Sequence, residues 1–120
     1  MATVGSSSII GNVYKYSATY TSNQTLLVAE CLDSTIYISG GTIATLPAVF
    51  YGAKVTVIDI DGNAGNGVNP NDNDWIMLDG TTMNNGDAAY TTNNAGDLIT
   101  CTYYSADGWY CASNGWNDED

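Results

Sequence analysis

The residues best placed to do chemistry are four carboxylates around one polar run. Asp59, Asp61, Asp72 and Asp74 bracket the glycine- and asparagine-rich stretch 61–73. Oxygen ligands of this kind suit a hard cation such as calcium. Counted as a calcium-binding loop, Asp61, Asn63 and Asp72 take relative positions 1, 3 and 12. Position 5 is then Gly65 and position 6 is Asn66, where a helix–loop–helix site needs an oxygen ligand and a glycine. That site is excluded and no metal or other cofactor is assigned. The four aspartates remain weak candidates for a looser cation site, and a solvated loop of turn-forming residues is the preferred reading. Asp59 and Asp61 are also spaced to share a strand face. Glycoside hydrolysis needs two carboxyls about 5–10 Å apart, one with a raised pKa, and nothing in the sequence marks a buried acid.

The remaining inventory narrows the chemistry further. The chain has no His, which removes the commonest general base and every Ser-His or Cys-His nucleophile pair. Lys and Arg together number 2 against 13 Asp plus Glu, a formal net charge of −11. Phosphate neutralisation has almost nothing to work with, so nucleic acid and anionic membrane surfaces are not expected partners. An enzyme is not expected. Nine tyrosines and three tryptophans offer stacking surfaces for a sugar. Tyr14, Tyr16, Ala18 and Tyr20 share one face of a first strand at period two, a pattern that reads more simply as a core or subunit-interface stripe.

Positioning these residues falls to strands. No segment combines helix formers at helical spacing; short β-branched and aromatic runs alternate with Gly, Asn and Asp clusters. The pattern predicts strands over 13–20, 25–31, 35–39, 42–46, 53–60, 74–78, 88–92, 98–105 and 109–112. Gly40-Gly41, Asp79-Gly80, Asn85-Gly86 and Asp107-Gly108 mark turns. Nine short strands in 120 residues predict an all-β domain, a compact antiparallel sandwich or barrel. Val55, Val57, Tyr103 and Trp109 are the expected core. In the last hairpin, a three-residue loop Ala106-Asp107-Gly108 with Gly108 left-handed puts Ile99, Cys101, Tyr103, Trp109 and Cys111 on one face. That register sets Cys101 and Cys111 diagonally, so a disulfide is not favoured. With Cys31 the cysteines form an odd set without metal spacing, and free buried thiols are expected.

The ends read differently from the middle. Residues 1–12 are small and polar except for Val4, Ile9 and Ile10, and are expected to form a flexible arm with an apolar anchor. They show neither a basic start nor an apolar run, so retention in the cytosol of synthesis is expected. Residues 13–113 form the single β-domain and 114–120 an acidic tail, in which Trp116 is a candidate docking residue. The Asn23-Gln24-Thr25 sequon is read as turn and strand residues.

From about Gln24 to Cys111 the order of features resembles small β-domains of tailed-bacteriophage virion proteins, found in tail fibres, head fibres and capsid decoration proteins. The resemblance rests on Thr45-Leu46-Pro47-Ala48, Gly52-Ala53-Lys54-Val55-Thr56-Val57 with Asp59, Gly62-Asn63-Ala64-Gly65, Asp79-Gly80 and Asp107-Gly108-Trp109-Tyr110. The start at Met1 and the lack of heptads or a second module favour a stand-alone decoration protein over a fibre. The resemblance implies a homotrimer on the capsid surface of a virion, bound to the major capsid protein and stabilising the shell, after synthesis in a bacterial cytoplasm. Ile9, Ile10 and Trp116 are the expected docking residues; Tyr14, Tyr16 and Tyr20 are a candidate subunit interface. The alternatives are a short fibre or attachment protein and a carbohydrate-binding module.

Overall fold

Branched and apolar side chains at every second position decide where this chain extends. In the computed structural model, which describes residues 16–119, they build twelve strands. These are β1 (Ser17–Tyr20), β2 (Gln24–Thr25), β3 (Leu32–Ile38), β4 (Ile43–Thr45), β5 (Lys54–Asp59) and β6 (Gly67–Asn69). They continue with β7 (Trp75–Leu78), β8 (Thr81–Thr82), β9 (Ala89–Tyr90), β10 (Leu98–Ser105), β11 (Gly108–Ser113) and β12 (Asn117–Asp118). The fold is all-β, as the patterning predicts. Two sheets, ordered β1-β3-β5-β10-β11-β7-β8 and β12-β9-β6-β4-β2, enclose one core. Leu26, Ile36, Ile38, Leu46, Val68, Ile76 and Ile99 fill it together with Val55, Val57 and Trp109, and Tyr103 packs half-buried against them.

The connectivity divides into two styles. From β1 to β6 the chain changes sheet at every strand, so that β1, β3 and β5 stack in parallel in one sheet and β2, β4 and β6 in the other. Ser17 lies beside Thr35 and Thr35 beside Thr56; Gln24 lies beside Ala44 and Ala44 beside Val68. This half is a flattened coil of three turns, each taking about twenty residues, in the manner of a short solenoid. The antiparallel pairing expected from sequence therefore describes only the second half. There β10 runs antiparallel to both β5 and β11, β7 to β8, and β9 to both β6 and β12; β7 and β11 are parallel.

Several boundaries differ from the sequence pattern for local reasons. The strand predicted over 25–31 stops at Thr25 and gives way to a 3₁₀ turn, Val28–Cys31. Glu30 causes the break: its carboxylate reaches back to accept the Leu27 N–H at 2.9 Å, and the Glu30 N–H donates to the Leu27 carbonyl. The stretch 61–73, read as one loop, contains β6 instead. Gly67 starts that strand because a Cβ there would lie 2.8 Å from the Tyr90 ring and 2.9 Å from the Ala89 carbonyl oxygen.

The final hairpin also corrects the expected register. Ser105 pairs with Gly108 across a two-residue turn, and Tyr103 pairs with Trp109, so Tyr104 is looped out as a bulge. Gly108 is not left-handed. The bulge restores the apolar stripe that a plain two-residue turn would split, and it brings Cys101 directly opposite Cys111. With Cα atoms 4.1 Å apart these two form a disulfide, against the expected free thiols; Cys31 alone stays free and buried.

Residues 114–119 are not a tail. Gly115, with φ at 106°, turns the chain back, β12 pairs with β9, and the Glu119 carboxylate accepts the Ala88 N–H. The arm predicted over 1–12 lies outside the described residues. No helix among the described residues is long and apolar enough to cross a membrane.

Candidate functional site

The aspartates singled out for chemistry fall at the end of β5, where the coil turns a corner. Asp59 has no exposed surface. Its Oδ1 accepts the Gly62 N–H at 2.8 Å, the Asp61 N–H at 3.2 Å and the Asn66 side-chain amide at 2.8 Å. Asn66, equally buried, donates a second time to Asp61 Oδ1 at 2.8 Å. Its own Oδ1 accepts the Gly41 and Thr42 N–H groups at 3.0 and 2.9 Å. Asp61 Oδ2 accepts the Gly40 N–H at 2.9 Å. The Gly40 N–H holds the Asp61 carboxyl below the usual carboxylate range; some loss of solvation opposes this, and the Asn66 amide reinforces it.

This arrangement locks one turn of the coil onto the next. The corner between β3 and β4 has backbone N–H groups with no strand partner, and Asn66 and Asp61 of the following turn accept them. From the other side, Asn23 Oδ1 accepts the Ile43 N–H at 2.9 Å. The middle turn is thus held by an asparagine on each flank, one of them the sequon residue read as a turn former.

The four aspartates are not gathered into one centre. Asp74 serves another loop, accepting the Val49 N–H at 2.8 Å. Among the described residues, no three His, Cys, Asp or Glu side chains lie together in a way that could hold a metal ion.

A second polar constellation sits at the first turn of the coil. The Tyr20 hydroxyl donates to Glu30 Oε2, and Glu30 itself is buried. That bond to a carboxylate, together with burial, raises the Tyr20 pKa. Burial and the nearby Glu30 charge push the Cys31 thiol up to about 12. A thiol so far from its thiolate is a poor nucleophile. Tyr20 and Ala18 pack against the core, whereas Tyr16 is exposed. Tyr16 and Tyr20 nevertheless stay together, their side chains hydrogen-bonded, and Tyr14 lies outside the described residues, as do Ile9 and Ile10.

Trp116 is overturned as an exposed docking residue. It is 4% exposed and belongs to the core, because β12 draws it under the smaller sheet. Its ring helps line a cleft of about 260 Å³ with Leu78, Asp79, Thr81 and Met83.

An aromatic cluster lies on the outward side of the larger sheet. Trp75 and Met77 of β7 alternate with buried Ile76 and inward Leu78, so they point away from the core. The bulged Tyr104 and Tyr110 of β11 join them. The ring centroids of Trp75 and Tyr104 are 5.8 Å apart, and those of Tyr104 and Tyr110 are 6.3 Å apart. Sequence reasoning places Trp75 in a strand but not in this cluster, which depends on the bulge. No family model matches the chain, and no curated protein or solved structure is significantly similar to it.

Proposed function

We propose that this chain is a non-enzymatic structural protein of a bacteriophage virion, most simply a decoration protein that binds the assembled shell as a homotrimer. One observation supports the structural part of this reading: three buried polar side chains hold the scaffold together. Asp59, Asn66 and Glu30 all engage backbone N–H groups or each other's partners inside the coil. Hydrogen bonds placed in this way stiffen a body. The segments that resemble phage virion domains supply the same framework. Thr45 ends β4, 52–59 leads into and forms β5, 62–65 makes the corner at Asn66, and 107–110 closes the last hairpin.

Such a body acts by mass action. A protein that binds only the assembled shell stabilises that shell without chemistry. The capsid is the proposed location and the major capsid protein the proposed partner. Ile9 and Ile10 are the proposed docking residues and Tyr14, Tyr16 and Tyr20 a proposed subunit interface; Trp116, buried in the core, is not among them.

The test is quantitative mass spectrometry of purified virions from the source phage, reading copies of this chain against the major capsid protein. A fixed stoichiometric ratio supports decoration. A few tens of copies moves the role to fibres or vertices, and absence from the particle overturns the reading.

A further inference from the structure

The outward side of the larger sheet holds a pair of rings outside the core. Trp75 lies beside Gly108 in the β7–β11 pair. A Cβ on Gly108 would come within 2.4 Å of the far carbons of the indole, so the indole lies across bare glycine backbone. Gly108 does not need its conformational freedom, since its φ is not positive. The glycine is there for the ring. Tyr104, pushed out by the bulge and 53% exposed, meets the indole at an interplanar angle of 70°. One ring rests on the sheet and the other stands beside it, as a floor and a wall.

We propose that Trp75 and Tyr104 form a stacking site for a neutral pyranose unit of a polysaccharide. A pyranose presents a face of C–H bonds with positive partial charge, which suits the negative face of an indole. The wall limits how the sugar lies, and hydroxyls at its edge meet tyrosine and threonine oxygens. Charge selects a neutral ligand. In the row of Tyr110, Thr102, Met77 and Thr82 are uncharged, and the charge that row does carry, Lys54, stands beyond Thr102 on the side away from Trp75. A chain with a formal net charge of −11 repels anionic ligands. This site is independent of the capsid role, and either can fail without the other.

Acrylamide quenching of tryptophan fluorescence reads the site directly, because Trp109 and Trp116 are buried and Trp75 is not. The probes are cellohexaose, maltohexaose and chitohexaose with the full chain. At least one should protect Trp75 saturably, and Trp75→Ala should abolish the effect. Tyr104→Ala should weaken binding by about tenfold or more. Gly108→Ala should weaken it comparably with the melting temperature little changed, since the new methyl displaces the free end of a side chain. Three outcomes overturn the proposal. One is no protection by any probe at about 10 mM, a dissociation constant too weak to register as a site. Another is protection that survives both Tyr104→Ala and Gly108→Ala. The third is shielding of Trp75 that follows protein concentration instead of sugar, which would assign the face to a second copy.

Discussion

The coil of β1–β6 and the hairpin half of β7–β12 solve the same problem by different means. Both must hold short strands in two sheets over one core. In the coil, sequence neighbours never pair, and every strand depends on the turn before and after it. Side chains at the corners supply the fastening, above all Asn66 with its four hydrogen bonds to Gly41, Thr42, Asp59 and Asp61. In the hairpin half, β10 and β11 are joined by two residues, fastened by the Cys101–Cys111 disulfide, and anchored by a Trp109 without exposed surface. Stacked connectivity leans on buried polar groups, whereas adjacent pairing leans on a covalent tie and one large ring.

The contrast can be broken most forcefully at the ring. Trp109→Ala should destabilise the whole protein by about 3–5 kcal/mol in denaturant unfolding, the usual range for deleting a buried aromatic. A loss under about 1 kcal/mol would show that the hairpin is not the anchor. Removing the disulfide, by Cys101→Ala with Cys111→Ala or by a reductant, should cost about 2–3 kcal/mol for a loop this short. Hydrogen exchange should then quicken in β10 and β11 before β1–β4.

Asn66→Ala tests the other half. It strands two backbone N–H groups and removes a donor from two carboxylates, so a loss of about 2 kcal/mol is expected. Its exchange signature should be the reverse, with the 40–43 corner opening first.

The smallest effects come from pH, and they also fall in the coil. Cys31 and Tyr20 have raised pKa values in the folded protein. Their neutral forms are favoured by folding, so their contribution is intact below the ordinary values of 9.0 and 10.0 and is lost as pH climbs above them. Tyr20→Phe should flatten part of that alkaline fall. Asp61 has the opposite sign: its contribution holds above the ordinary value of 3.8 and disappears as acid titrates the lowered group. Unfolding midpoints across the pH range check both limbs.

Alternation made the strands legible. Val55 and Val57, Ile36 and Ile38, and Ile99 with Cys101 all face the core as period two requires. That period is the same for parallel and antiparallel strands, which is why the coil was hidden. Its turns share no repeated motif, and its steps are uneven. Asp59 and Asp61 drew attention as possible ligands; their role as acceptors for backbone depends on where Asn66 comes to rest. Trp116 sits among Gly, Asn and Asp residues that read as a tail, and only the β9–β12 pairing reveals it as core. Tyr104 gives no sign of being a bulge, yet that one extra residue decides both the disulfide and the aromatic face.

The order of strands also fixes where the chain arrives and leaves. Tyr16 leads into β1 at one edge of the larger sheet, and Glu119 follows β12 at the far edge of the smaller one. Anything tethered before Tyr16 is therefore separated from anything tethered after Glu119 by the full stack of strands. The fold thus holds Tyr16 and Glu119 at opposite edges. Fluorophores placed at the two ends would stay at one fixed separation while the fold holds, and tension between them would peel strands inward from opposite edges.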